Sequence, residues 1–201
     1  VARRFNSSGT EIGSKFQDNV VTTENEHEAA VGVAGNGSFF VVWSSSATLF
    51  ESGYVRARGF NSSGNEVVPE FTLNADASGY ADVAGHPGGT FTVVWDELVP
   101  GGGYYDIVAR RFNSSGTEIG SKFQVNTATV DDQLDAAIAS GPSGEFVVAW
   151  VDDYDNGVKA RQFASNGNPI ADQFNVSPGL TFLPDIDVAI GSGGQFVIAY
   201  E

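Results

Sequence analysis

Short apolar runs that end in an aromatic residue recur along the chain at a nearly constant spacing. One kind is apolar at consecutive positions, as in Gly-Glu-Phe-Val-Val-Ala-Trp at 144–150, and it ends at Trp43, Trp95, Trp150 and Tyr200. A second, more polar kind of run ends at Phe5, Phe60, Phe112 and Phe163. A period near fifty residues with several short β-type runs per unit predicts propeller blades or solenoid coils. No segment shows the 3.6-residue period of an amphipathic helix, so we expect an all-β fold.

Each unit contributes four predicted strands. The first is rich in small residues, and alanine recurs in it at positions 34, 84, 139 and 189, which predicts four strands crowded around one axis. The second is the fully apolar run, which is typical of a strand covered on both faces. The third and fourth are joined by turns at 6–9, 61–64, 113–116 and 164–167, of which the first three read Asn-Ser-Ser-Gly. Asparagine first and glycine last are typical of a tight hairpin turn.

The order of strands at the two ends of the chain predicts how the units assemble. The chain begins with the third and fourth strands of a unit and stops after the second strand of another. The N-terminal pair can therefore complete the last unit and leave no free sheet edge. We predict a single domain over residues 1–201, a closed four-bladed β-propeller with four antiparallel strands per blade. Its blades lie near 30–72, 81–124, 135–175, and 185–201 plus 1–17.

The sequence of residues 1–17 is identical to that of residues 108–124. This identity indicates duplication of a two-blade unit and predicts a pseudo-twofold arrangement of the ring.

Composition excludes several classes of partner. The 201 residues include 25 acidic and only 10 basic side chains, giving a formal charge of −15, which disfavours nucleic acid and anionic membrane surfaces. Cysteine is absent, so disulfides and thiolate metal sites are excluded, and no apolar run reaches membrane-spanning length. The chain starts at Val1 and has no methionine, which favours a processed or excised segment.

The pattern Ala-Arg-Arg-Phe-Asn-Ser-Ser-Gly…Phe-Gln-Val-Asn at 109–126, followed by 144–150, resembles the repeats of large secreted bacterial adhesin-like and calcium-rich proteins. The blade count is similar to that of haemopexin-type four-bladed propellers. The resemblance implies extracellular placement and a binding or adhesive role.

The long connections on one face of the predicted ring carry most of the acidic residues and predict a calcium site. Asp152, Asp153 and Asp155 fall within four residues of one another, as oxygen-ligated cations require. Asp185 and Asp187 begin the last inner strand and, with Asp82 and Asp135, are candidates for an axial ion. The alternative is that these acids only keep a secreted protein soluble.

Aromatic side chains beside carboxylates in the same connections predict a glycan site. Aromatic rings can stack on sugars while carboxylates accept hydrogen bonds from them, and the candidates are Asp96, Glu97, Tyr104, Tyr105 and Tyr154. Phe50 and Phe182 lie in similar connections. The alternative is that these rings cover the ends of the core.

Enzyme signatures are sparse. The only histidines are His27 and His86, and no nucleophilic triad is recognisable. The four arginines of the repeated Ala-Arg-x-Phe site recur in every unit, which indicates scaffolding rather than catalysis. An acid pair such as Glu97 and Asp153 would suit glycoside hydrolysis.

We therefore expect a non-catalytic module that binds calcium and a glycan or cell-surface ligand. The alternatives are a structural spacer of an adhesive protein and an acid-pair glycoside hydrolase, and the sequence leaves the oligomeric state open.

Overall fold

The computed structural model describes residues 1–46, 53–180 and 185–201, with 75–79 as backbone only. The described residues form β-strands joined by turns and loops, so the predicted all-β class is confirmed. Within the described ranges there is no helix with the length and hydropathy of a membrane span. Phe50 and Phe182 lie outside the described residues. The strands are β1 (Ala2–Phe5), β2 (Glu11–Phe16), β3 (Asn25–Val33), β4 (Phe39–Ser46), β5 (Gly53–Phe60), β6 (Glu66–Gly85), β7 (Thr90–Leu98), β8 (Tyr105–Asn113), β9 (Phe123–Gln124), β10 (Gln133–Ser140), β11 (Phe146–Asp152), β12 (Gly157–Phe163), β13 (Phe174–Ser177), β14 (Ile186–Ile190) and β15 (Phe196–Tyr200).

The strands form antiparallel meanders of up to four strands, which we call blades. Strand β6 is continuous over 20 residues, so its first half closes blade 1 (β3–β6) and its second half opens blade 2 (β6–β9). One seven-stranded sheet results where the sequence predicts two separate sheets. Blade 3 is β10–β13, and β14 pairs only with β15.

The first strands of the blades surround a common axis. Residues of β3, the second half of β6, β10 and β14 together line a cavity at each end of this axis. The prediction of alanine at four equivalent positions is wrong for blade 1. There Gly32 pairs with Phe40 as Ala84 pairs with Thr92, while Ala34 lies beyond the end of β3. A Cβ on Gly32 would lie 2.7 Å from the Val83 carbonyl oxygen, so this contact is too close for alanine.

The second strands carry the core, because their alternate side chains pack against two different neighbours. In β7, Trp95 packs in the layer between blades 1 and 2, whereas Val94 packs in the layer between blades 2 and 3. Strands β4 and β11 are buried at every described position. The prediction that Trp43, Trp95 and Trp150 are core residues is confirmed, since each is at most 2% exposed.

The N-terminal hairpin β1–β2 occupies the place of the outer strands of a blade that precedes blade 1. Phe16 packs on Phe39 and Phe60 of blade 1. Arg4 donates hydrogen bonds to the carbonyls of the 61–64 turn, and Arg111, its counterpart in the duplicated segment, donates to those of the 164–167 turn. Identical sequence thus makes the same contact twice between neighbouring sheets.

Within the described residues, no ladder of hydrogen bonds joins β15 to β1. Strands β1 and β2 form one two-stranded sheet, and β14 and β15 form another. Val197 is 71% exposed and Phe5 is 55% exposed, although their counterparts Thr92 and Phe112 in blade 2 are buried. Closure of the predicted four-bladed ring is therefore not observed as strand pairing.

The arginines of the Ala-Arg-x-Phe site contact acidic side chains and backbone carbonyls of the propeller. Arg3 and Arg110 pair with Glu11 and Glu118 across their own hairpins. Arg58 and Arg161 also donate to backbone carbonyls of the preceding blade or hairpin.

Replacing Trp150 with alanine tests the central packing between blades 2 and 3. The indole is fully buried and donates a hydrogen bond to Gln133 Oε1 at 2.7 Å. We expect Trp150→Ala to lower the free energy of unfolding by about 3–5 kcal/mol, measured by urea denaturation. Tyr200→Ala is the matched control at the equivalent repeat position, and its 40% exposure predicts a much smaller loss. Equal losses in the two variants would contradict the packing described.

Candidate functional site

One mouth of the axis is lined by acidic residues at equivalent positions of the blades. Pairing of β3, β6, β10 and β14 with the following strands aligns Val33, Gly85, Ser140 and Ile190. The residues five positions before these four are Glu28, Tyr80, Asp135 and Asp185, and all of them line the mouth. Together with Asp82 and Asp187 they line a cavity of about 400 Å³, which we call the axial cavity.

Irregular backbone positions two of these carboxylates. The register of β3 shifts between His27 and Ala30, and that of β10 shifts between Leu134 and Ala137. Glu28 and Asp135 lie within these bulges in the left-handed region, at φ of 52° and 54°. Non-glycine residues rarely adopt this conformation, and β-bulges commonly reorient side chains next to active sites. The bulges thus carry acidic residues to the axis at two blades.

The axial cavity raises the pKa of Asp135. Burial is the main cause, the negative charges of Asp185 and Glu28 add to it, and the pKa reaches about 6. The pKa of Tyr80 is raised chiefly by the charge of Asp135. A carboxyl group that is protonated near pH 6 beside other carboxylates suits proton donation.

Asp82 connects two neighbouring inner strands beneath the axial mouth. Its Oδ2 accepts a hydrogen bond from the Ile138 amide at 2.9 Å, and its Oδ1 accepts one from the Val83 amide at 2.7 Å. Burial raises the pKa of Asp82, and the two amides lower it in part. This residue therefore fixes β10 against β6 and shapes the base of the cavity.

The predicted calcium residues are divided between three places. Asp185 and Asp187 lie at the axial cavity. Asp152 and Asp155 both pair with Lys159 Nζ at 2.6 Å, so a cation that used both would have to displace this lysine. Burial lowers the pKa of Lys159, but its hydrogen bonds to these two carboxylates outweigh that effect and leave the pKa raised. Asp153 lies apart from them, beside Asp131 and Asp132.

The predicted glycan residues are divided between blade 2 and the loop after β11 in blade 3. Asp96 is fully buried, and burial together with the charges of Asp135 and Asp132 raises its pKa to about 7. Glu97 pairs with Lys122 and accepts a hydrogen bond from the Trp95 indole at 3.2 Å. Tyr104, in the β7–β8 connection, and Tyr105, the first residue of β8, are half-buried, whereas Tyr154, after β11, is 64% exposed.

Matching the repeats within the sequence did not identify Glu28 and Tyr80 as site residues. It set Ala34 against the alanines of the later blades, whereas Gly32 is the equivalent residue in the structure. The repeated phenylalanine that opens each second strand, at 39, 91, 146 and 196, is the signal that aligns all four inner strands correctly.

Comparison with known proteins finds similar folds among glycoside hydrolases. No protein-family profile matches the chain, and no curated protein sequence is significantly similar to it. Among solved structures, the GH93 α-L-arabinofuranosidase of Fusarium graminearum with arabinobiose is similar, with a TM-score of 0.60 at 10% identity over 94% of this chain and 62% of that chain. The Penicillium chrysogenum α-L-arabinanase complexed with arabinobiose has a TM-score of 0.58 at 13% identity over 94% and 63%. A thermostable family-43 glycoside hydrolase has a TM-score of 0.52 at 11% identity over 87% and 65%.

These neighbours establish a β-propeller fold. At such identities the likeness shows the fold alone, and the chain spans less than two thirds of the length of these three structures.

The resemblance to adhesin-like and calcium-rich repeats is wrong, since the structural neighbours are glycoside hydrolases. The same finding contradicts the prediction of a non-catalytic binding module. The physical reason is that a fifty-residue β repeat reports blade geometry, which propellers of unrelated function share.

Replacing Asp135 with asparagine tests the electrostatics of the axial cavity. A carboxyl group whose pKa is higher in the folded state stabilises the fold at low pH, and this contribution is lost as the pH rises from about 4 through about 6. We expect Asp135→Asn to raise the free energy of unfolding at pH 8 by roughly 1–2 kcal/mol, after allowance for solvent screening, and to leave it nearly unchanged at pH 4. Urea denaturation at both pH values measures this. The same change at both would contradict the environment described.

Proposed function

We propose that this propeller is the catalytic scaffold of a glycoside hydrolase and that the axial cavity is its active site. The observation that carries the proposal is the placement of Asp135, whose pKa is raised to about 6, in one cavity with the exposed carboxylate of Asp185. Hydrolysis of a glycosidic bond uses one protonated and one ionised carboxyl group, and unlike environments separate the two roles.

In this mechanism Asp135 is the general acid and protonates the leaving-group oxygen. Asp185 is the ionised partner, acting on water or on the anomeric carbon from the other side of the sugar ring. Glu28 and Asp187 add negative charge to the cavity, which favours the positive charge that develops on the sugar in the transition state. Asp82 positions β10 through the Ile138 amide and so helps to set the orientation of the acid.

The neighbours suggest which glycans to try first. Two of them were solved with arabinobiose, so α-L-arabinofuranosides and arabinan are the first substrates to test. A cavity of about 400 Å³ lies within the usual range for small-ligand sites. Tyr80, which is 46% exposed at the mouth, offers a ring against which a sugar can stack. A polymeric substrate of this kind also favours the extracellular placement expected from the sequence.

Hydrolysis of 4-nitrophenyl α-L-arabinofuranoside and of arabinan tests the proposed function. We expect Asp135→Asn to lower kcat by about 10²–10⁴-fold, the usual contribution of a general acid. Because the acid must be protonated, we expect the activity of the unaltered chain to fall as the pH rises above about 6. Asp172→Asn, on the exposed connection between β12 and β13, is the matched control and should leave kcat unchanged. Absence of turnover on a panel of pentoside and hexoside substrates, or full activity in Asp135→Asn, would overturn the assignment.

The proposal includes closure of the ring into four blades. Strand β8 is the duplicate of β1, and it pairs with β7 so that Phe91 faces Phe112 and Val94 faces Ala109. The same register in the last blade would set Phe196 against Phe5 and Ala199 against Ala2. Because β14–β15 packs on blade 3 and β1–β2 packs on blade 1, the two hairpins lie on the faces that such a blade would cover.

A disulfide across the proposed closure tests its register. The chain contains no cysteine, so Ala2→Cys with Ala199→Cys introduces the only thiols. We expect oxidation to form an intramolecular bond in a monomer and to raise Tm by several degrees, because the link restricts the unfolded chain. Ala2→Cys with Val197→Cys, two residues out of register, is the control. Efficient bonding in the control alone, or only between chains, would contradict four-blade closure.

A further inference from the structure

Two of the three repeated tryptophans bond to a side chain of their own blade, and the third does not. The indole Nε1 of Trp150 donates to Gln133 Oε1 at 2.7 Å, and that of Trp95 donates to Glu97 Oε2 at 3.2 Å. Trp43 is only 2% exposed, yet its Nε1 donates to no acceptor in the described part of the chain. A buried indole N–H normally has a hydrogen-bond partner, so this donor calls for one.

The equivalent of Gln133 in blade 1 is Glu26. Each pairs with the residue two positions after the tryptophan of the next strand, Gln133 with Asp152 and Glu26 with Ser45. Glu26 therefore starts from the position from which Gln133 reaches Trp150. Its Oε1 accepts a hydrogen bond from Ser45 Oγ at 3.2 Å, whereas its Oε2 is buried and accepts none from the described residues.

Glu26 and Trp43 both line a cavity of about 200 Å³, which we call the side cavity. Residues 18–19, in the connection after β2, lie on its other side. Glu28 and Ala29 line the side cavity and the axial cavity alike, so the two cavities meet at the bulge of β3. A water molecule occupies about 30 Å³ in the liquid, so the side cavity has room for a larger polar ligand.

The side cavity presents one donor and one acceptor, which restricts the chemistry of its ligand. The indole of Trp43 can only donate, and an ionised Glu26 can only accept. One hydroxyl group satisfies both, because it accepts through its oxygen and donates through its hydrogen. A metal cation offers no acceptor to the indole, and its charge is not required, because the charge of Arg56 acts on Glu26. Arg56 itself pairs with Glu24 and Glu70.

We propose that the side cavity binds one sugar unit of a glycan whose adjoining unit occupies the axial cavity. One hydroxyl of this unit accepts from Trp43 Nε1 and donates to Glu26 Oε2. The choice of a glycan as the ligand rests on the proposed function. Because the two cavities meet at Glu28, consecutive units of one chain reach both of them. The side cavity therefore favours oligosaccharides over single sugars.

Titration calorimetry with sugars of one and three units tests the proposal. The titrants are arabinose, xylose and glucose, and arabinotriose, xylotriose and cellotriose, added to the Asp135→Asn chain so that a bound glycan is cleaved slowly. We expect at least one trisaccharide to bind more tightly than its own single sugar. In the same background, Trp43→Phe should weaken its affinity by about 2–10-fold and Glu26→Gln by about tenfold or more, the usual range for neutral and charged hydrogen bonds. Because one hydroxyl joins both groups, the double variant should lose little more than Glu26→Gln alone.

Glu24→Gln is the matched control, because it removes the same charge two residues away. Glu24 accepts hydrogen bonds from Ser45 and Arg56 and does not belong to the lining of the side cavity. This variant should leave trisaccharide affinity unchanged. Glu26→Gln is expected to fold, because blade 3 holds a fully buried glutamine at the equivalent position. It carries the test even where Trp43→Phe is unstable.

Equal losses of affinity in Glu24→Gln and Glu26→Gln would overturn the proposal, because loss of charge alone would then explain the effect. Absence of trisaccharide binding, or unchanged affinity in Glu26→Gln, would overturn it as well and leave water as the bridge between the two groups. Hydrolysis by the unaltered chain with unchanged affinity in Glu26→Gln contradicts the side cavity alone. Binding that depends on Glu26 in a chain that hydrolyses no substrate contradicts only the proposed function.

Discussion

The structure depends on burial of the second strand of each blade on both of its faces. In β4, β7 and β11, successive side chains enter two different apolar layers, one toward each neighbouring sheet. No blade has a core of its own, so each is stable only between two others, as in repeat proteins generally. Arginines reinforce the layers by donating to turn carbonyls of the adjoining blade, as Arg4 and Arg111 do at identical stretches of sequence.

This stacking brings polar residues together that lie far apart in the sequence. The inner strands converge so closely that Gly32 cannot carry a side chain, and each strand presents its entry residue to one mouth of the axis. Bulges at Glu28 and Asp135 direct two of these side chains into the cavity. Burial, together with the negative charges of Asp185 and Glu28, then raises the pKa of Asp135 to about 6.

The functional prediction from the sequence was wrong because it inferred an adhesin-like family from a repeat that reports only blade geometry. The hairpin turns and apolar runs describe a blade, and blades of this kind occur in glycoside hydrolases as well as in binding proteins. The acidic connections were interpreted as one anionic face. In the structure they divide into an axial group, a lysine-paired group and a rim group.

The sequence by itself determined the all-β class, the strands of each unit, the hairpin turns, and the buried tryptophans. These follow from local pattern: consecutive apolar residues need cover on both faces, and an Asn-x-x-Gly turn needs glycine at positive φ, as at Gly9, Gly64 and Gly116. Only the tertiary structure decided the continuity of β6, the alignment of Glu28 with Asp135 and Asp185, and the burial of Asp96. The reason is that a bulge of one residue changes which side chain reaches the axis, and burial between blades sets the charge state of a carboxyl group. Neither the position of a bulge nor the burial of a side chain between blades can be predicted from composition or from spacing along the chain.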